Sequence, residues 1–254
     1  MKKKITLALL LPVFGFCAFA QTIVTTTPEN RNVVLEIFTG INCSACPSGH
    51  NISQSLLNNN PEDVFIINIH SGSYSNPSGN QPDFRTQWGN ALRNQSGLVG
   101  YPAGTVNRQN FPGQEQGNNG TTALSRGQWV GAANSVLEQE SYVNTGVEAV
   151  IDVQTRIMTI DVEAYYTANS PEATNKLNVA VLQNNTLGPQ VSGNMGNNYV
   201  HKYRLIDLVT GQWGEEITNT TSGSLISNQY VYSIPDDING IPVKVEDLEV
   251  VVFL

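Results

Sequence analysis

The chain has 254 residues, enough for one large domain or two ordinary ones, and it can bury a core without help from disulfides. Only 13 % of residues are charged and the formal net charge is -8; Asn, Gln, Ser, Thr and Gly supply the polarity instead. That balance excludes nucleic acid, which needs clustered Lys and Arg, and electrostatic docking on anionic lipid, while it suits an extracellular or envelope protein.

The chain opens "MKKKITLALLLPVFGFCAFAQ". Lys2, Lys3 and Lys4 form a charged head, Ile5 to Cys17 a short apolar run, and Ala18-Phe19-Ala20 a small-x-small cleavage site. Residues 1–20 therefore read as a secretory signal peptide, and the run is too short to span a bilayer. No other run approaches that length, so no integral membrane span is expected. Cleavage removes Cys17 and leaves Cys43 and Cys46 as the only cysteines, in a compartment where disulfides persist.

Residues 21–32 form a polar lead-in. "VVLEIF" (33–38) is apolar and β-branched and predicts a buried strand. "CPSGHNISQSLLNNN" predicts a helix with Ile52, Leu56 and Leu57 on its apolar face. "DVFIINIH" (63–70) predicts a second buried strand, so strand, CxxC, helix and strand form a βαβ unit with parallel strands. A polar loop (71–82) follows, then a helix over 82–97 with Phe84, Trp88 and Leu92 at four-residue spacing. A short strand within 98–109 is interrupted by Tyr101-Pro102, and a last helix is predicted over 123–140. From 142 onward the apolar residues alternate, turn-rich segments intervene and no helical period appears. Residues 142–254 therefore predict an antiparallel β-sandwich, and 33–141 a preceding α/β domain.

The pair Cys43 and Cys46 carries the chemistry. Cys43 lies between a buried strand and a helix start, near unpaired backbone N–H groups and the positive end of the helix dipole. That setting favours thiolate and makes Cys43 the nucleophile, with Cys46, one turn into the helix, as the resolving thiol. A loop this short constrains the unfolded chain little, which argues against a mere staple. Glu36, in a mostly apolar strand, reads as a buried carboxyl of raised pKa that passes protons to or from a thiol, or as a strand-end Glu facing solvent. Tyr101-Pro102 reads as a cis-proline edge that docks a peptide, or as an ordinary loop proline. Zinc would need four ligands. His50 and His70 could join the cysteines, but no second ligand pair accompanies them, so no metal and no cofactor is assigned. His201 reads as a surface residue of the β domain.

The βα unit with CxxC at its first helix and a later Tyr-Pro before a strand resembles the thioredoxin fold over roughly residues 30–140. Asn42 stands where that fold has Trp before the first cysteine, and Ser44-Ala45 replaces Gly-Pro between the two. Its buried aspartate would correspond to Glu36, allowing one inserted residue. More narrowly, "LEIFTGINCSACPSGH", "GYPAGTVNR" and a β-rich half resemble an exported family of Bacteroides-group bacteria named after a twenty-eight-kilodalton outer membrane protein. The matching residues are Glu36, Phe38, Thr39, Gly40, Cys43, Cys46, Pro47, Gly100, Tyr101 and Pro102. The resemblance implies a thioredoxin-like domain followed by an immunoglobulin-like sandwich, and a periplasmic, outer-membrane-associated or surface location. It implies no settled activity. Two functions stay open: thiol–disulfide exchange on envelope proteins or peptides, and surface binding or adhesion on a thioredoxin scaffold with a passive disulfide.

Overall fold

The computed structural model describes residues 22–254. The expected signal peptide, with Cys17, lies outside the described residues. Strand β1 (Val33–Thr39) is buried along its whole length, as a strand covered on both faces must be. Helix α1 (Cys46–Asn59) starts at the second cysteine and carries a proline in its first turn, where the missing N–H has no intrahelical acceptor to serve. The chain returns in β2 (Val64–His70), parallel to β1 from Val33 opposite Val64 to Thr39 opposite His70. The βαβ expectation holds in order, direction and extent.

Helix α2 (Gly89–Ser96) is shorter than its spacing suggests. Arg85 donates to both carboxylate oxygens of Asp83 at 2.8 and 2.7 Å, a local clamp that holds 83–85 out of the helix. Phe84 therefore leaves the expected helical stripe and packs edge-on against His70. Strand β3 (Ala103–Val106) runs antiparallel to β1, and β4 (Leu124–Ser125) pairs with β3. Helix α3 (Trp129–Leu137) keeps only the centre of the predicted 123–140 span, because its first residues form β4. The two faces of β1 separate by period two. Val33, Leu35 and Ile37 pack with Leu56, Trp129 and Val136, whereas Val34 and Phe38 pack with Leu92 and Leu98.

The second half is all β. It comprises β5 (Val143–Asp152), β6 (Ile157–Tyr166), β7 (Asn175–Gln183), β8 (Thr186–Gly188), β9 (Tyr199–His201), β10 (Arg204–Leu208), β11 (Glu215–Ile217), β12 (Leu225–Ser233), β13 (Asp237–Ile238), β14 (Ile241–Pro242) and β15 (Leu248–Phe253). Three antiparallel strands, in the order β12-β6-β5, form one sheet. The alternate residues Met158, Ile160, Val162 and Tyr166 of β6 pack on Leu177, Val179 and Val181 of β7. Strand β7 does not stay in a separate sheet. It pairs with β10, β11 and β15, and β10 pairs with β2, so one eight-stranded sheet runs through both halves. The β10–β2 junction is narrow: Arg204 lies opposite Asn68. It is reinforced where the Asn68 backbone N–H donates to the Tyr203 carbonyl at 2.7 Å and its Nδ2 to the Lys202 carbonyl at 2.8 Å. Among the described residues, no helix is long and apolar enough to cross a membrane.

Candidate functional site around the cysteine pair

Cys43 and Cys46 are joined as a disulfide at the end of the β1–α1 connection. The Cys43 N–H donates to the Gly40 carbonyl at 3.0 Å, and the Cys46 N–H to the Cys43 carbonyl at 3.3 Å, which winds the loop into the helix. The first turn of α1 holds no acidic residue, so nothing there offsets the positive end of its dipole. Both cysteines are buried, Cys43 at 2 % and Cys46 at 0 % exposure.

Two segments cover them. Residues 72–76 lie over Gly40, where any added Cβ would collide with the Tyr74 backbone. Asn42 ties the loop to this segment: its N–H donates to the Tyr74 carbonyl at 2.9 Å and its Nδ2 to the Asn76 carbonyl at 2.8 Å. The second cover comes from the β half, and sequence reasoning missed it. The chain from β8 to β9 crosses the cysteine loop as a strap. Gln190 Nε2 donates to the Gly40 and Cys43 carbonyls at 3.2 and 3.0 Å, and the Val191 N–H donates to the Ile41 carbonyl at 2.8 Å. Farther along, Tyr199 Oη lies 2.7 Å from His50 Nδ1, while His50 Nε2 lies 2.9 Å from Thr39 Oγ1. The polar stretch "GPQVSGNMGNN" signals a loop but not the carbonyls it would reach.

The structure brings Tyr101 and Pro102 to the same end of the sheet. Their peptide bond is cis, and Pro102 packs against Gly49 in α1. Tyr101 Oη donates to the Ser71 carbonyl at 3.0 Å and accepts from Arg93 Nε at 2.9 Å. Glu36 is buried at 3 % exposure, so it is not a strand-end residue facing solvent. It stands apart from the cysteines in its contacts. Arg108 Nη2 and Nε donate to its two oxygens at 2.7 and 2.8 Å, and Thr105 Oγ1 adds a bond of 3.1 Å. This ion pair lines a cavity of about 580 Å³, with Asn178 and Phe253 among its walls and neither cysteine.

All three histidines of the chain gather beside the cysteine loop. His201 is not the surface residue its alternating strand suggests. It is 3 % exposed, and its ring lies 5.4 Å from that of His70, equally buried. Tyr203, with φ of 51°, breaks the chain between β9 and β10. His201 then points inward beneath Tyr199, their rings 5.0 Å apart. Burial lowers the pKa of His50 to about 4 and of His201 to about 3, so neither is charged at neutral pH.

Two solved structures share the fold. HBP35 of Porphyromonas gingivalis superposes with a TM-score of 0.65 at 18 % identity, over 89 % of this chain and 69 % of its own. A crystal structure of a protein from Agrobacterium tumefaciens gives 0.51 at 13 % identity, over 87 % of this chain and 94 % of its own. No curated protein matches. The family model of outer membrane protein Omp28 matches residues 89–254. The chain therefore belongs to the Omp28 family of outer membrane proteins, which makes it an exported, outer-membrane-associated protein.

Proposed function

We infer that the protein exchanges disulfides with envelope proteins or peptides, through a cysteine pair whose access is controlled by the strap. The reading treats residues 33–141 as a thioredoxin-like domain and 142–254 as an immunoglobulin-like sandwich, joined through the β10–β2 bridge. The observation that carries it is the placement of the Cys43–Cys46 disulfide at the uncharged N-terminus of α1, with Tyr101-Pro102 packed against the same helix. A partner thiolate attacks Cys43 Sγ, and the Cys43–Cys46 bond breaks. Cys46 leaves as thiolate, stabilised by the helix end. The partner's second thiol, on deprotonation, attacks the mixed disulfide and expels the Cys43 thiolate. The partner gains the disulfide, this chain gains the two reduced cysteines, and the reverse sequence reduces a partner. Glu36 takes no part in this scheme, because Arg108 and Thr105 occupy its oxygens.

Attack requires Cys43 to be uncovered. The contacts over it are polar and few, so the strap is displaceable at the cost of a handful of hydrogen bonds, each worth about 1 kcal/mol net. Gln190→Ala removes two of them. It should speed reduction of the disulfide by dithiothreitol about tenfold, followed by trapping of the released thiols. Wild-type protein should reduce insulin disulfides or catalyse oxidative refolding, and Cys43→Ser should abolish that turnover. Absence of turnover in both wild type and Gln190→Ala would overturn the reading. The burial of both sulfurs favours a second reading, a surface binding protein with a passive disulfide. It predicts that opening the strap changes accessibility without producing turnover.

A further inference from the structure

We propose that the cavity beside the three histidines binds a small oxyanion, of the phosphate or carboxylate type. The cavity measures about 250 Å³ and is walled by His50, His70, His201, Asn68, Tyr199 and Lys202, among others. No Asp or Glu lines it, in a chain with 21 acidic residues against 13 basic ones. Lys202 stands exposed at the rim, its Nζ 3.3 Å from Gln54 Oε1.

The interior has polar atoms to spare. His70 is 3 % exposed, and neither ring nitrogen has a hydrogen-bond partner among the described residues. Behind it lies Arg204, fully buried, whose Nη2 donates to Gln183 Oε1 at 3.0 Å. Its Nε and Nη1 have no partner, and no carboxylate among the described residues pairs with it. Its guanidinium carbon sits 5.4 Å from the centre of the Phe84 ring, which itself packs against His70 and His201. A buried cation without a counter-charge is expensive to keep in a fold. A buried imidazole with both nitrogens unmatched adds to that expense.

The sign of the charge selects the ligand class. Two imidazoles with ring centres 5.4 Å apart suggest a metal ion, but Arg204 and Lys202 set a positive potential there and oppose a cation. Among the described residues, no group of three or more His, Cys, Asp or Glu side chains is arranged to hold a metal. An oxyanion answers the same features. It accepts from His70 N–H and from Lys202, and it lies in the field of Arg204. The volume falls below the roughly 300–1,000 Å³ of sites for drug-sized molecules, so the ligand is small. The inference stands apart from the thiol reaction and does not need Cys43 to be active.

Because the chain has only three histidines, imidazole nitrogen spectra report the site directly. The full secreted protein is titrated with sodium phosphate and, separately, with sodium acetate, at ionic strength held constant with sodium chloride. A saturable shift of the His70 and His201 signals is expected with one or both salts, with a midpoint of about 1 mM or lower. Lys202→Gln, at an exposed position that does not threaten the fold, should weaken the midpoint about tenfold. Arg204→Met should remove the response. Saturation by phosphate alone or by acetate alone supports the proposal and names the anion. No saturable shift up to about 50 mM of either salt overturns it, as does a response that Lys202→Gln leaves unchanged.

Discussion

Replacing Glu36 by Gln lowers the free energy of unfolding by about 3–5 kcal/mol. The side chain is 4 % exposed and that of Arg108 is 18 % exposed, so the pair is held largely away from water. Both Glu36 oxygens are occupied, and Arg108 also lies over the Phe253 ring at 5.2 Å, which fixes it in place. The substitution keeps the shape and removes the charge. Arg108 is left as a cation in a pocket built to receive an anion, and its desolvation is no longer offset. Coulomb attraction in the intact pair hides this penalty, which appears only when one partner is removed. The double variant Glu36→Leu/Arg108→Met should recover most of the loss, because matched apolar groups replace a buried pair at little net cost. Urea unfolding at neutral pH measures both changes, with an unaltered denaturant slope as the check on two-state behaviour. A loss under about 1 kcal/mol in Glu36→Gln would mean that water reaches Arg108 freely.

Acidification from pH 6.5 towards pH 4 destabilises the protein by about 3 kcal/mol through His50 alone, at 1.36 kcal/mol per pKa unit. The folded pKa, about 4, lies below the ordinary value of 6.5 because burial penalises the charged ring. Between those values the unfolded chain binds a proton that the folded chain does not. Stability is therefore fully present above pH 6.5, is lost progressively as the pH falls below it, and levels off once the pH has passed the folded pKa. His201, lowered to about 3, and His70, lowered by burial and by the neighbouring His201 and Arg204, act in the same direction. Asp83, held low by Arg85, contributes only below the carboxylate range, so the window from 6.5 to 4.5 isolates the histidines. Urea midpoints across that window should fall steadily, and His50→Gln should flatten the slope. A midpoint independent of pH there would contradict the buried, neutral state of these rings.

The first half of the molecule was legible because its signals are local. Two apolar runs, a CxxC followed by proline and a short amphipathic stretch define β1, α1 and β2 with little competition. Phe84 misled because four-residue spacing to Trp88 and Leu92 mimics a helix face. The clamp between Asp83 and Arg85 decides that segment, and spacing carries no trace of it. The alternation in β6 was equally plain, but it says only which face is buried and not which sheet a neighbouring strand joins. Hence the shared sheet through β7, β10 and β2 was not foreseen. The spacing of Cys43 and Cys46 as a bonded pair was legible, and so was a cis bond before Pro102. The cover over the pair was not, because Gln190 reaches a carbonyl 147 residues away. Likewise, nothing in the strand around Glu36 signals its ion-pair partner, since Arg108 stands 72 residues on in a turn where its φ is 49°.

Under the proposed function the Cys43–Cys46 disulfide is exchangeable and not only structural. Its reduction potential, measured by equilibration with glutathione buffers and quantification of released thiols, tests this most directly. An exchanging pair should fall within the range of known thiol–disulfide oxidoreductases, about -120 to -270 mV. A value below about -300 mV, typical of structural disulfides, would contradict the claim and leave the pair as a passive clasp beneath its strap.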